Sequence, residues 1–218
     1  MLKPGEKGVI PQRDKMTYAV APHIPCGVIT PSLLRKLADV AEKYQAQALK
    51  ITGATRIAII GLKEEDIDRV WHDLGIDKGA AVGRCVRSIR ACPGTTFCSF
   101  GKQDSLGIGM KLDKLYHGAE LPGKFKMAVS GCQLCCAESW VRDFGLIGEA
   151  NGWKVVVGGN VGARPRIANE LVTGLDDNQA MQCANKVISY YREHANKGER
   201  FGKMIDRIRF DTLKSSLV

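Results

Sequence analysis

Two pairs of cysteines carry the strongest chemistry in this chain. Cys92-Pro-Gly-Thr-Thr-Phe-Cys98 closes an apolar run over 86–91, and Cys132-Gln-Leu-Cys-Cys136 closes a second over 125–129. Four thiolates brought from two loops make a soft-metal site. Structural zinc sites favour knuckles with about two to four residues between cysteines. Cys132 and Cys136 fit that range, whereas Cys92 and Cys98 have five residues between them. The wider loop, with Pro93, Gly94, Thr95 and Thr96, can wrap a larger object and offer it N–H and hydroxyl donors, which suits an iron–sulfur cluster. The spacing is not that of small bacterial or plant-type ferredoxins, so it favours a cluster and leaves zinc open. Cys135 makes it ambiguous which of two neighbours ligates. Cys26, Cys85 and Cys183 read as small buried side chains. The four histidines, His23, His72, His117 and His194, are scattered and read as structural or exposed.

The elements that must position these loops follow from periodicity and caps. Residues 1–15 are polar, contain Pro4, Gly5, Gly8 and Pro11, and read as an extended arm. Residues 17–21 alternate as a strand. Thr30-Pro31 opens a helix that places Leu33, Leu34, Leu37, Ala41 and Tyr44 on one face. Residues 48–52 and 56–62 form a hairpin about Gly53 and Ala54, residues 64–74 a second helix, and residues 80–91 a strand. That order is a split βαβ, ferredoxin-like unit. The predicted fold class is α+β: an arm (1–15), a ferredoxin-like domain (16–78) and a mixed α/β domain (79–218). The last holds a helix over 104–117, a strand running into Cys132, strands over 144–147 and 153–157, and a glycine loop at Gly158–Gly162. Helices are predicted over 166–171 and 177–195. The basic, amphipathic tail is anchored by Phe201, Met204, Ile205 and Ile208.

The formal charge is +9 over 218 residues. Nucleic acid is the default partner of a basic protein. Here the cations are spread along the chain, aromatics are sparse and no nucleic-acid motif appears, so a polyanionic cofactor or small anionic substrate explains the charge equally well. No apolar run reaches membrane-spanning length, and the N-terminus lacks a secretory h-region. A cytoplasmic location is expected, where eight cysteines argue for metal or redox chemistry before disulfides. Gly118-Ala-Glu-Leu-Pro-Gly-Lys124 has P-loop spacing but continues with Phe125, and Val157–Ala163 lacks two glycines of a dinucleotide loop.

The chain resembles the siroheme- and iron–sulfur-dependent nitrite/sulfite reductases over nearly its whole length. Gly27-Val-Ile-Thr-Pro31 and Lys50-Ile-Thr-Gly-Ala-Thr-Arg-Ile57 are similar to that family's ferredoxin-like half. The two cysteine motifs, Gly101-Lys-Gln-Asp-Ser105, Leu121-Pro-Gly-Lys-Phe-Lys126 and Gly158-Gly-Asn160 are similar to its cofactor-binding half. With one unit rather than two, it looks like the small assimilatory-type (low-spin) sulfite reductases. The resemblance implies a 4Fe–4S cluster on Cys92, Cys98, Cys132 and Cys136, with Cys136 also the axial ligand of siroheme. It implies six-electron reduction of sulfite to sulfide, with nitrite reduction, or a non-catalytic electron-transfer subunit, as alternatives.

Siroheme is a polycarboxylate and its substrate an anion, which gives the charge a use. Lys124 and Lys126 alternate with Phe125, so both ammonium groups face one way. The family's matching lysines contact the anion, and clustering lowers their pKa values. Arg56 follows the nitrite-reductase version of the hairpin and is a third anion candidate; in sulfite reductases the arginine stands where Ala54 is here. Arg87, Arg90, Lys102, Gln103 and Arg164 are candidates for siroheme carboxylates, with Thr95, Thr96, Gly159 and Asn160 as further cofactor contacts. Many members of that family have Pro after the first cysteine and Asn inside the loop; here those positions are Gln133, Leu134 and Cys135. Lacking a flavin or nicotinamide fold, the chain is expected to use an external one-electron donor such as a ferredoxin, with no nucleic-acid or membrane partner.

Overall fold

A hydroxyl followed by proline starts the first long helix, α1 (Pro31–Lys43), where Thr30 Oγ1 accepts the Leu33 N–H at 3.2 Å. The computed structural model describes residues 1–218 and divides into two units, Met1–Gly83 and Arg84–Val218.

The first unit joins α1 and α2 (Ile67–Leu74) to four strands: β1 (Val9–Pro11), β2 (Tyr18–Val20), β3 (Ala48–Ile51) and β4 (Ile57–Leu62). The sheet order is β1-β2-β4-β3, with every neighbouring pair antiparallel. Strands β2 and β3 therefore run parallel with β4 between them, which is the split βαβ arrangement. Leu37, Val40, Ile59, Leu62, Val70, Trp71 and Leu74 form its core. Leu34, expected on the buried face of α1, is 47% exposed.

The edge strand differs from expectation. It is Val9–Pro11, from the stretch read as an arm, with buried Val9 opposite Val20. Residues 80–91 supply no strand to this sheet. Gly79 and Gly83 have φ of 64° and 111°, which interrupts an extended run. Only β5 (Arg90–Ala91) is regular, and it belongs to the second unit.

The second unit is a five-stranded sheet in the order β5-β6-β7-β8-β9, with β6 Met127–Ser130, β7 Phe144–Glu149, β8 Gly152–Val157 and β9 Asn169–Leu175. The first two pairings are parallel and the last two antiparallel. Helices α3 (Gly94–Phe97) and α4 (Ser105–Tyr116) follow β5; α5 (Asp177–His194), α6 (Phe201–Ile208) and α7 (Phe210–Leu217) close the chain. Asp104 caps α4 through the Gly107 N–H at 2.9 Å, and Asp176 and Gln179 form a capping box on α5. Trp153, Phe125, Tyr191 and Phe201 fill the core, together with Met204 and Ile205 of the tail. The helix expected over 166–171 is absent. Asn160 and Arg166 exchange two backbone hydrogen bonds of 2.9 Å, which hold this stretch extended, and it enters β9 with Val172 paired to Val155. No helix is long and apolar enough to cross a membrane.

Candidate functional site

Parallel strands end on the same side, and this is how the sheet gathers the thiols. β5 and β6 pair in parallel, so the loops leaving their C-terminal ends, carrying Cys92–Cys98 and Cys132–Cys136, emerge together. Glycines then let the loops touch backbone to backbone. A Cβ on Gly131 would lie 2.7 Å from Gly94 Cα, one on Gly101 would lie 2.6 Å from the Gly94 carbonyl carbon, and one on Gly148 would lie 2.4 Å from the Gly131 carbonyl oxygen. The Gly131 carbonyl accepts the N–H groups of Lys102 and Gln103 at 2.7 and 3.1 Å.

One of these thiols, Cys92, already carries a donor of the kind cluster sulfur uses. Gly131 N–H donates to Cys92 Sγ at 3.0 Å, and Ser105 Oγ lies 3.3 Å from the same sulfur while bonding the Cys92 carbonyl at 2.7 Å. All eight cysteines are free thiols. No three Cys, His, Asp or Glu side chains are gathered as around a single metal ion. Cys92, Cys98 and Cys132 are partly exposed and Cys136 is exposed. The donor set, four accessible thiols on two interlocked loops with the Gly131 N–H aimed at the Cys92 sulfur, fits an iron–sulfur cluster. Phe97, Phe100 and Leu134 flank it, 80%, 65% and 68% exposed.

Cys135 behaves differently from its neighbour. Its backbone is left-handed, with φ 55°, which turns the side chain inward. The Ser130 hydroxyl donates to its sulfur at 3.6 Å, and it packs against a small cluster of Ile147, Val156 and Ala168. Cys136 is left facing outward.

A group of cations stands on the segments flanking β6 and β7. Phe125 is fully buried and pairs with Val86 in a parallel bridge, which leaves Lys124 and Lys126 half-buried on the other side. Burial, and then Arg142, Lys124 and Arg200, hold the Lys126 ammonium below the usual lysine range, with Asp143 opposing. Lys124 is lowered in the same direction by burial, Arg200 and Arg87. Burial is thus the first cause and clustering the second. Beneath them Asp143 is wholly buried; it accepts the Lys126 N–H at 2.8 Å and two bonds from Arg200 Nη2 at 2.7 and 2.9 Å. Burial pushes its carboxyl up, and Arg200 pulls it back. Half-buried ammonium groups of lowered pKa can bind a small oxyanion and release a proton to it.

The other sequence candidates take varied places. Arg90 and Arg142 both grip Glu138, at 2.7 Å in the first case, and the buried Nε of Arg142 has no protein partner. Arg87 is half-buried, its guanidinium lowered chiefly by desolvation. Thr96 donates to Asp104 at 3.1 Å, while the Thr95 N–H bonds the Gln103 carbonyl. Gln103 donates to the Glu149 carbonyl at 2.8 Å, and the Lys102 side chain is exposed. A Cβ on Gly159 would lie 2.4 Å from the Trp140 carbonyl oxygen, so only glycine fits. Asn160 holds its loop through the Arg164 carbonyl at 2.9 Å, and the Arg164 side chain is exposed. Arg56, in the first unit, is 3% exposed and donates to the Ala21 carbonyl at 2.7 Å; its guanidinium props a buried loop.

Sequence reasoning missed Arg142, Asp143 and Arg200. One signal was available: a carboxylate directly before the apolar Phe144–Ile147 run must find a partner if the strand is buried. Which cation would answer it was not legible.

Comparison with known proteins follows the same division. The Nitrite and sulphite reductase 4Fe-4S domain pattern matches residues 82–217, and the Nitrite/Sulfite reductase ferredoxin-like half domain pattern matches residues 10–75. The assimilatory-type sulfite reductase of Nitratidesulfovibrio vulgaris is 41% identical over 212 residues, 97% of each chain. The NAD(P)H nitrite reductase of Bacillus subtilis is 40% identical over 201 residues, which are 92% of this chain but 25% of that one. Among solved structures, dissimilatory sulfite reductase I superposes with a TM-score of 0.81 at 15% identity, covering 92% of this chain and 69% of that one. The NirA protein of Mycobacterium tuberculosis superposes with 0.82 at 18% identity, covering 99% and 43%. At those identities the likeness is one of fold.

Proposed function

This chain belongs to the nitrite and sulphite reductase family, and on that premise we propose that it reduces sulfite to sulfide. It is an oxidoreductase of the siroheme and 4Fe–4S class. Cys92, Cys98, Cys132 and Cys136 would hold the cluster, and Cys136 would also serve as the siroheme ligand. When bound, the cluster would supply electrons singly and the siroheme an iron at which the anion is reduced. The chain's own work is to bind and orient. Lys124 and Lys126 draw the anion in and hold transferable protons beside it; Arg142, with its unbonded buried Nε, offers a donor to an anionic group. Electrons come from an external one-electron donor such as a ferredoxin.

The observation that carries sulfite is the end-to-end match to the Nitratidesulfovibrio vulgaris enzyme, 97% of each chain. Nitrite reduction to ammonia is the second reading. It is favoured by the Bacillus subtilis relative at 40% identity and by the Thr52-Gly-Ala-Thr-Arg56-Ile57 hairpin. The test is anaerobic turnover of both anions by the holo-protein with reduced viologen. Faster sulfide formation from sulfite supports the proposal; preferred ammonia formation from nitrite overturns the substrate and keeps the site.

A further inference from the structure

The tail of the chain is fastened to the segment that carries the two lysines. Gly198 N–H donates to the Pro122 carbonyl at 2.7 Å. The Glu199 carbonyl, which accepts the Tyr191 hydroxyl, lies where a Cβ on Gly123 would come within 2.4 Å of it. The Phe201 ring sits 5.6 Å from Phe125, the residue between the lysines. Arg200, the N-cap of α6, closes on Asp143, and the same carboxylate takes the Lys126 N–H.

From this geometry we infer that Asp143 and Arg200 are positioning residues, a clamp of a buried carboxylate and a partly exposed guanidinium that fixes Lys124 and Lys126 at the anion site and sets the charge around their ammonium groups. The inference rests on the reading of those lysines as the anion site. A carboxylate wholly removed from water persists as an anion only if paired, and Arg200 is its ion-pair partner. The groups facing Lys126 are Lys124, Arg142, Arg200 and Asp143; those facing Lys124 are Arg200, Arg87 and Asp143. Asp143 itself faces Arg200, Lys126 and the Tyr191 hydroxyl. Asp143 is the anion among them, so the two halves of the clamp act on the lysines with opposite sign.

The test uses the holo-protein and its Arg200→Gln, Arg200→Lys and Asp143→Asn variants. Trace acetylation by acetic anhydride across pH, read by mass spectrometry, gives the titration midpoint of each lysine separately. Arg200→Gln removes a neighbouring cation, and the carboxylate left unpaired takes up a proton; because Arg200 acts more strongly than Asp143 on both lysines, both midpoints rise. Asp143→Asn leaves the arginine uncompensated, so both fall. Arg200→Lys restores the original midpoints. If loosening of the fold were the whole effect, the lysines would hydrate and rise in both Gln and Asn variants, and that outcome overturns the clamp. Should Asp143→Asn fail to fold, Gln against Lys at position 200 decides: equal shifts overturn the inference.

Sulfite binding, followed by the change it makes in siroheme absorbance, separates this from the underlying reading. Weaker binding in Lys126→Ala, without opposite lysine shifts in the other variants, overturns the clamp and leaves the anion site standing. Unchanged binding in Lys126→Ala overturns the anion site itself.

Discussion

Replacing Gly131 with alanine tests whether the two thiol loops work as one cradle. Gly131 is not in the left-handed region, so alanine costs nothing in backbone conformation and the penalty is steric. The new methyl would sit 2.7 Å from Gly94 Cα and 3.0 Å from both the Gln103 carbonyl and Ser105 Oγ. Ordinary carbon contacts begin at about 3.5 Å, so the loops must part by roughly 0.8 Å. A shift of that order stretches the Lys102 N–H bond to the Gly131 carbonyl from 2.7 Å to about 3.5 Å, beyond a normal hydrogen bond. The bond from Gly131 N–H to Cys92 Sγ, now 3.0 Å, weakens with it. Overpacking and lost hydrogen bonds together cost about 2–4 kcal/mol. Against a typical total of about 5–15 kcal/mol the chain still folds, but with thiols no longer held for a cluster. Urea unfolding should show a lower midpoint, and anaerobic reconstitution should give less iron and sulfide per chain. An alanine variant with an unchanged midpoint and full iron would refute the cradle.

Two further outcomes concern the neighbouring cysteines and a carboxylate of the first unit. Cys136→Ser should lose siroheme coupling in optical and electron paramagnetic resonance spectra, whereas Cys135→Ser, altering an inward side chain, should keep both cofactors; equal losses would show that the neighbours share the ligand role. In the first unit, Lys43 and Tyr44 lie 2.6 and 2.8 Å from Asp73 and hold its carboxyl near about 2, below the ordinary 3.8. The folded value is depressed, so this contact stabilises fully above the ordinary value and is lost as pH falls towards 2. Asp73→Asn should flatten acid unfolding in that window, and an unaltered acid limb would disprove the assignment.

Local chemistry decided much of this protein before any tertiary contact. Thr30-Pro31 and the Asp176 to Gln179 box start their helices because caps act over three residues. The split βαβ order follows from periodicity, and the four thiols announce soft-metal chemistry by residue type. What depended on distant partners was not legible. Whether the first sheet takes its edge from Val9–Pro11 or from 80–91 is a choice between rival strands, and the glycines at 79 and 83 tip it only once the sheet exists. Residues 169–175 become β9 because β8 offers a ladder to pair with. Cys135 and Cys136 are alike in sequence; a left-handed φ and the Ser130 hydroxyl turn one inward. Arg56 carries the charge expected of an anion ligand, and its bond to the Ala21 carbonyl joins residues 35 positions apart, which no local pattern announces. The clamp of Asp143 and Arg200 joins residues 57 positions apart. A buried charge advertises its need for a partner, but only the folded chain shows which residue meets it.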